Sequence, residues 1–481
     1  MSQEIEFKLE VERDASERLI KQSWLGCKER RPERQQSVYF DTTEGDLRRR
    51  GYTLRVRSAG GRFVQTVKSL GAAAGMFGRG EWECTVAGPG PDLTKLGETP
   101  LADLALGQLK PVIQSDVSRT AVRLHELTAD LEVDFDEGLM TASGRSLPVS
   151  EIEVELLRGQ PESAVALARR IAASIPVKLG VLSKAERGFA LADGSLSNYA
   201  KAEPVEVRPE MTVAEAFEVI VMACIRHFRL NEPLVIERRS AEPLHQARVG
   251  IRRLRAAFSL FRPAIADDEF ERIASELRWF MGELGDARNL DVFLQRDHPR
   301  DERRFLAKRR EEAYDAVIAA MDSQRLRHAM IDLVAWASLG EWRSGKRASQ
   351  PLTPFANRRI DRLWSKVQNV DKLRKLDEQR RHRLRINVKK LRYALEFTRA
   401  LHPERPKRRK KFMHSVEHLQ EALGHINDAV VAHKLSPPDP WMIAGRTNPE
   451  ERRYLHDADQ ALRRLGKAGR YWKSAKRRAD A

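Results

Sequence analysis

Cysteine is scarce in this chain of 481 residues: Cys27, Cys84 and Cys224 lie far apart, with no paired spacing. That excludes a disulfide framework and a cysteine zinc site, and it points to reduced thiols in a cytoplasm. No apolar run is long enough to cross a bilayer, so no membrane span is expected. The N-terminus is charged from Glu4 onward and lacks the apolar core of a signal peptide. Aromatic residues make up only 7%. They interleave poorly with the basic segments described below, which disfavours single-stranded nucleic acid, whose bases stack on rings.

Charge, by contrast, is abundant and unevenly placed. Residues 211–481 hold 57 Lys+Arg against 37 Asp+Glu, a net of +20, whereas residues 1–210 hold 29 against 32, a net of −3. The length calls for two or more domains, and a net of +20 in the second part attracts polyanions: nucleic acid, polyphosphate or an anionic membrane surface.

Up to about residue 190 the chain reads as short alternating segments: Glu4–Val11, Gln36–Phe40, Thr53–Arg57, Phe63–Lys68, Glu81–Val86, Ala129–Asp136 and Glu151–Leu156. Turns such as Gly88-Pro89-Gly90-Pro91 separate several of them, the mark of antiparallel β structure. A helix is expected at Pro161–Ser174. Residues 190–209 make the best linker. Beyond it, Val213–Leu230, Glu242–Phe261, Asp268–Leu284, Asp301–Ala320 and Gln379–Leu401 carry apolar residues at helical spacing.

The alternation sorts the charges. In Glu4-Ile5-Glu6-Phe7-Lys8, Glu4, Glu6 and Lys8 share one strand face and Ile5 and Phe7 the other. Carboxylates ligate hard divalent cations and a lysine can hold phosphate, so this face suits a metal and a phosphate together. Arg55 and Arg57, Lys68, Glu81 and Glu83, Glu132, Asp134 and Asp136, and Glu151, Glu153 and Glu155 recur in the same way, and Lys184 and Arg187 follow the helix. One wet strand face is ordinary in an antiparallel sheet. Several strands with acids in triplets need neutralising, because like charges on one face repel.

These segments, with Tyr39-Phe40-Asp41-Thr42, Gln65-Thr66-Val67-Lys68, Arg79-Gly80-Glu81-Trp82-Glu83 and Ser183-Lys184, resemble in order the CYTH superfamily, the triphosphate tunnel metalloenzymes. The resemblance covers residues 1–195. It implies an eight-stranded antiparallel β-barrel tunnel with flanking helices, acting on a triphosphate with Mg²⁺ or Mn²⁺. Carried over by position, Lys8, Arg55, Arg57, Lys68, Arg119 and Lys184 would hold the phosphates, with Arg145 and Arg187 as further candidates. Glu4, Glu6, Asp134, Glu151 and Glu153 would hold metal. Glu81, Glu83, Glu132 and Glu155 would ligate metal or water, or fix basic side chains. The family includes adenylate cyclases, thiamine triphosphatases and RNA triphosphatases. No nucleobase pocket is legible in this sequence, so inorganic tripolyphosphate is the favoured substrate. A nucleotide or RNA 5′-triphosphatase is one alternative, and a non-catalytic polyphosphate-binding or granule-targeting protein the other.

The basic part is duplicated. His245-x-x-Arg248-x-x-x-Arg252-x-x-Arg255 is echoed by His382-x-x-Arg385-x-x-x-Lys389-x-x-Arg392, and each is followed by a Leu-Gly segment, at Leu284-Gly285 and Leu423-Gly424. Each set falls on one helix face. One histidine per helix is poor metal spacing; arginine suits phosphate oxygens. The two stretches resemble the signatures of the CHAD domain, over about 212–475. That resemblance implies two pseudo-symmetric helical bundles with a basic groove binding inorganic polyphosphate, and an association with polyphosphate granules. The expected division is therefore a tunnel domain at 1–195, a linker at 196–210 and an all-α domain at 211–481. Arg288-Asn289-Leu290-Asp291 departs from the family's Arg-Asp-x-Asp, and Arg405–Lys411 reads as a polyanion contact or a solvated loop.

Overall fold

The computed structural model describes residues 5–25, 32–70, 80–102, 108–126, 128–295, 297–370, 373–435 and 449–473. Glu4, Cys27 and Arg79, named above, lie outside them.

Nine strands form one sheet: β1 (Ile5–Val11), β2 (Glu33–Asp41), β3 (Tyr52–Ala59), β4 (Arg62–Ser69), β5 (Glu81–Val86), β6 (Lys110–Glu126), β7 (Ala129–Ala142), β8 (Arg145–Arg158) and β9 (Val177–Leu179). The spatial order is β5-β4-β3-β2-β6-β7-β8-β1-β9, with every ladder antiparallel. The described residues of all seven alternating segments fall within strands; β6 and β9 are additional. The expected eight-stranded closed barrel is corrected in two respects. A ninth strand of three residues pairs with β1, and among the described residues no ladder joins β5 to the far edge. β9 occupies the edge of β1 that closure would need.

Alternation explains why the sheet holds together. Phe7 and Leu9 of β1, Leu131, Val133 and Phe135 of β7, and Ile152 and Val154 of β8 are buried on one face, opposite the charged residues. Helix α1 (Arg13–Ile20) packs on β8, and α3 (Pro161–Ser174) on β1 and β8, the latter with the bounds its sequence predicts. The short α2 (Asp46–Arg49) sets Leu47 against Leu54, Val56 and Val67. Helix α4 (Lys184–Ala192) sits on the charged side of the sheet, where Tyr39, Ile113, Val117, Met140 and Val149 replace the charges and receive Ala185 and Phe189. It thereby stops one end of the concave face.

Among the described residues the remaining α-helices are α5 (Val213–Arg238), α6 (Ala241–Ile265), α7 (Asp268–Glu283), α8 (Gly285–Phe293), α9 (Arg300–Met321), α10 (Gln324–Leu339), α11 (Leu352–Gln368), α12 (Glu378–Phe397), α13 (Pro406–Leu435) and α14 (Pro449–Lys467). Residues 406–411 of the basic cluster form the first turns of α13 rather than a loop. One compact unit comprises residues 1–201, 225–250 and 314–340; the other comprises 202–224, 251–313 and 341–481. In the first, α10 packs on α3, and Arg169 Nε donates to Asp332 Oδ1 at 2.5 Å. In the second, α12 packs on both α11 and α13.

Gly138 marks the tightest point of the sheet. A Cβ there would sit 2.1 Å from Asp116 O and 2.7 Å from Val117 Cα, both backbone atoms of β6. Gly138→Ala is therefore expected to destabilise the protein by about 1–3 kcal/mol through forced separation of β6 and β7. Gly282→Ala in α7, with open space around it, is expected to be neutral or to stabilise by about 0.5–1 kcal/mol. Urea unfolding of both variants checks the contrast.

Candidate functional site

Residues from all of β1–β8, and from the start of α4, line one cavity of about 280 Å³. Register sets its chemistry. Across β1, β8 and β7, Glu6, Glu155 and Glu132 stand opposite one another, as do Lys8, Glu153 and Asp134, and then Glu10, Glu151 and Asp136, with Arg119 of β6 beyond Asp136. This wall is acidic, and the cations reach into it from three directions. Lys8 Nζ lies 2.7 Å from Glu153 and 3.5 Å from Glu6. Arg119 Nε donates to Asp136 at 2.7 Å and its Nη2 to Glu153 at 2.7 Å, and it also pairs with Asp134. Lys184 Nζ lies 2.7 Å from Asp136 and 3.1 Å from Glu153, and pairs with Glu151. Arg187 pairs with the second oxygen of Glu151, whose side chain has no solvent access.

The titration of these groups follows the pairing. Burial opposes charge on Glu153, yet Lys184, Lys8 and Arg119 hold its carboxyl well below the usual range. Lys8 and Lys184 are pushed the other way, because the surrounding carboxylates outweigh their burial. Two acids escape this compensation. Burial raises Glu6 against the pull of Lys8, with Glu153 adding to the rise. Burial pushes Asp134 up to about 7, with Arg119 opposing and Glu153, Glu132 and Asp136 reinforcing. Correspondingly, Glu6 Oε1 and Asp134 Oδ1 are buried and accept no hydrogen bond among the described residues. Unsatisfied buried carboxylate oxygens are costly and call for a cation. One oxygen from each of Asp136, Glu151 and Glu153 also lies within 4.8 Å of the others, close enough to share a metal ion.

The opposite wall, from β3, β4 and β5, has the reverse balance. Lys68 pairs with Glu81 at 2.7 Å. Arg55 and Arg57 both stand 3.8 Å from a single carboxylate, Glu83, which also accepts from Thr66 Oγ1 at 2.9 Å. Burial, and then the neighbouring Arg55, hold Arg57 below its ordinary value, so this pair carries more positive charge than Glu83 offsets. Every tunnel residue carried over by sequence and described here lines this cavity except Glu151, Arg145 and Arg187. Glu151 and Arg187 lie behind it; Arg145 donates instead to Ala192 O at 2.8 Å, at the end of α4. Asp136, noted in the sequence only as part of an acidic triplet, joins the cluster because β7 sets it opposite Glu151.

On the duplicated helices, Arg255 and His382 are exposed, and His245, Arg248, Arg252, Arg385, Lys389 and Arg392 half-buried. His245 and Arg248 fall in the first compact unit; Arg252 and Arg255 continue the same helix in the second. There, Tyr393 joins the two repeats: Arg252 Nε donates to its hydroxyl at 2.8 Å, and the Arg392 guanidinium lies 5.0 Å from its ring centroid while pairing with Glu396 at 2.9 Å. Lys390 lies off the repeated offsets that mark the second stripe. Its ammonium is depressed by burial and then by Lys366, Arg255 and Arg359, a group of like charges. The basic run Arg358, Arg359, Arg362 and Lys366 on α11 was the available signal.

Comparison with known proteins finds two families in the chain. The CYTH domain model matches residues 2–189 and the CHAD domain model residues 219–436. An inorganic triphosphatase of Haemophilus influenzae is 27% identical over 158 residues, which is 32% of this chain and 45% of that protein, so the match spans less than half of the relative. The crystal structure of the CHAD domain from Ricinus communis is similar at 28% identity, covering 56% of this chain and 91% of its own, with a TM-score of 0.44. A putative adenylyl cyclase from Hippeastrum, described as having a dominant triphosphatase activity, is similar at 21% identity, covering 40% and 95%, with a TM-score of 0.31. The chain contains a CYTH domain at residues 2–189 and a CHAD domain at residues 219–436.

Proposed function

We propose that the cavity hydrolyses inorganic tripolyphosphate to diphosphate and orthophosphate with the aid of Mg²⁺ or Mn²⁺, and that the basic helices bind long-chain polyphosphate. The observation that carries the first half is the two-signed cavity: spare guanidinium charge on β3 faces carboxylates with unsatisfied oxygens on β1 and β7. A triphosphate and a divalent cation together answer both imbalances. The chain has no helix long and apolar enough to cross a membrane among the described residues, and we place it in the cytoplasm, with polyphosphate granules as its site of association.

Arg55, Arg57 and Lys68 hold the phosphate chain from one wall, and Lys8, Arg119 and Lys184 from the other. They spread the negative charge that shifts among the phosphoryl oxygens as the terminal P–O bond breaks; positioning and electrostatics supply most of such catalysis. Glu6 and Asp134 are the residues best fitted to hold metal, with Glu151, Glu153 and Asp136 adjoining; Glu4 remains a candidate from the sequence alone. A bound divalent ion supplies polarisation of phosphoryl oxygens and a site for the attacking water. Glu83 and Glu81 fix the arginines and Lys68 in place.

Three outcomes test this. Orthophosphate release from tripolyphosphate should fall about 100-fold or more in Glu6→Gln and in Arg57→Ala, with ATP and RNA 5′-triphosphate turned over more slowly than tripolyphosphate by the parent protein; wild-type release from either variant refutes the assignment. Metal affinity should rise with pH by about tenfold per unit up to the Asp134 value of about 7 and level off above it, because only the ionised carboxylate binds a cation. Calorimetry across pH should show that slope and its loss in Asp134→Asn. On the helical side, polyphosphate binding to the full chain should weaken steeply with salt, and Arg252→Glu with Lys389→Glu should lower the salt slope by about the number of contacts removed.

A further inference from the structure

The corner of the cavity that holds Lys8 and Lys184 is bordered by a short irregular segment. β9 ends at Leu179, and residues 180–183 carry neither helix nor strand before α4 begins. Yet Gly180 N donates to Lys8 O at 2.8 Å, and a Cβ on Gly180 would sit 2.6 Å from Lys8 Cγ, so the lysine side chain is laid along this segment. Ser183 and Lys184 line the cavity. A three-residue edge strand and a short loop open easily when few contacts hold them.

Two arginines of α5 hold them. Arg226 Nη1 donates to Val181 O at 2.7 Å and lies 3.2 Å from Glu186 Oε1. Arg229 Nε donates to Leu179 O at 2.8 Å and its Nη2 to Glu10 Oε2 at 2.9 Å, while Nη1 pairs with Glu232. Both are nearly enclosed, with side chains 12% and 3% exposed. The two carbonyls flank Gly180. Glu186 in turn caps α4: its Oε2 accepts from Ser183 N at 2.8 Å and from Ser183 Oγ at 2.7 Å. One carboxylate thus separates Arg226 from the turn that aims Lys184. Residues 225–250 belong to the same compact unit as the sheet, although α5 opens the stretch matched by the CHAD model.

We propose that Arg226 and Arg229 are positioning residues of the cavity. They fix residues 179–186 so that Lys8 and Lys184 meet the phosphate chain at a set separation. The role in turnover rests on the tripolyphosphate reading above; the clamp itself does not. A CYTH segment cut at the linker would lose both arginines.

The test uses the full chain with Arg226→Ala, Arg226→Lys and, as a control in the same unit, Arg169→Ala. Arg226 is chosen because Arg229→Ala would take a buried ion-pair partner from both Glu10 and Glu232 and risk unfolding. Amide hydrogen exchange and tripolyphosphate kinetics are the readouts. Arg226→Ala should speed exchange across 179–186 and raise KM about tenfold, since small displacements of binding groups cost this much or more. Arg226→Lys should recover part of both, and Arg169→Ala should leave both unchanged whatever it does to Tm. Unchanged exchange and KM in a folded Arg226→Ala overturn the proposal. A parent protein that does not turn over tripolyphosphate sinks the function reading instead, and exchange at 179–186 then decides the clamp alone.

Discussion

A carboxylate shut off from water needs cations within reach, and Glu151 is such a carboxylate, with no solvent access at its side chain. Its two oxygens are met by Lys184 and Arg187, three residues apart on one face of α4. Removing both would leave it to Lys8 alone, 3.9 Å away, a severe cost. This requirement fixes α4 against β8. The helix in turn closes one end of the concave face through Phe189 and Ala185 and brings Lys184 to the cavity. Much of the site's geometry follows from this one buried side chain.

The same accounting of charge separates the two walls. Along β1, β7 and β8 acids outnumber cations, and each of Lys8, Lys184 and Arg119 serves several carboxylates at once. Along β3–β5 the excess is positive, with two arginines leaning on Glu83. Neither wall neutralises itself, and the residual charge is confined to a cavity of about 280 Å³. The sheet's apolar face carries none of this tension; alternation sends Phe7, Leu9, Val133 and Val154 the other way into the core.

Strands whose two faces differ uniformly were legible. β1, β3, β7 and β8 alternate cleanly, so their inward charges could be named residue by residue. β6 could not be read this way, although it carries Arg119. Its concave positions pass from Ile113 and Val117, the seat of α4, to Arg119 and Arg123, so neither face keeps one character. β9 is too short for any period, and it gains its place only by pairing with β1. In the helical part the repeated stripes were plain, whereas the cluster around Lys390 was hidden because Lys366 and Arg359 come from another helix.

The sequence by itself determined the two-part division of charge, the CYTH and CHAD resemblance, most strands, and which side chains share a strand or helix face, because covalent geometry forces side chains to alternate on a strand and to recur every three or four residues on a helix. Only the tertiary structure decided which faces meet. Register placed Asp136 opposite Glu151; the docking of α4 left Glu151 and Arg187 behind the cavity rather than in it; and α5, far along the chain, supplied Arg226 and Arg229 to the loop beside Lys8. Such choices depend on distances between residues remote in sequence, where burial and ion pairing, not local periodicity, set the free energy.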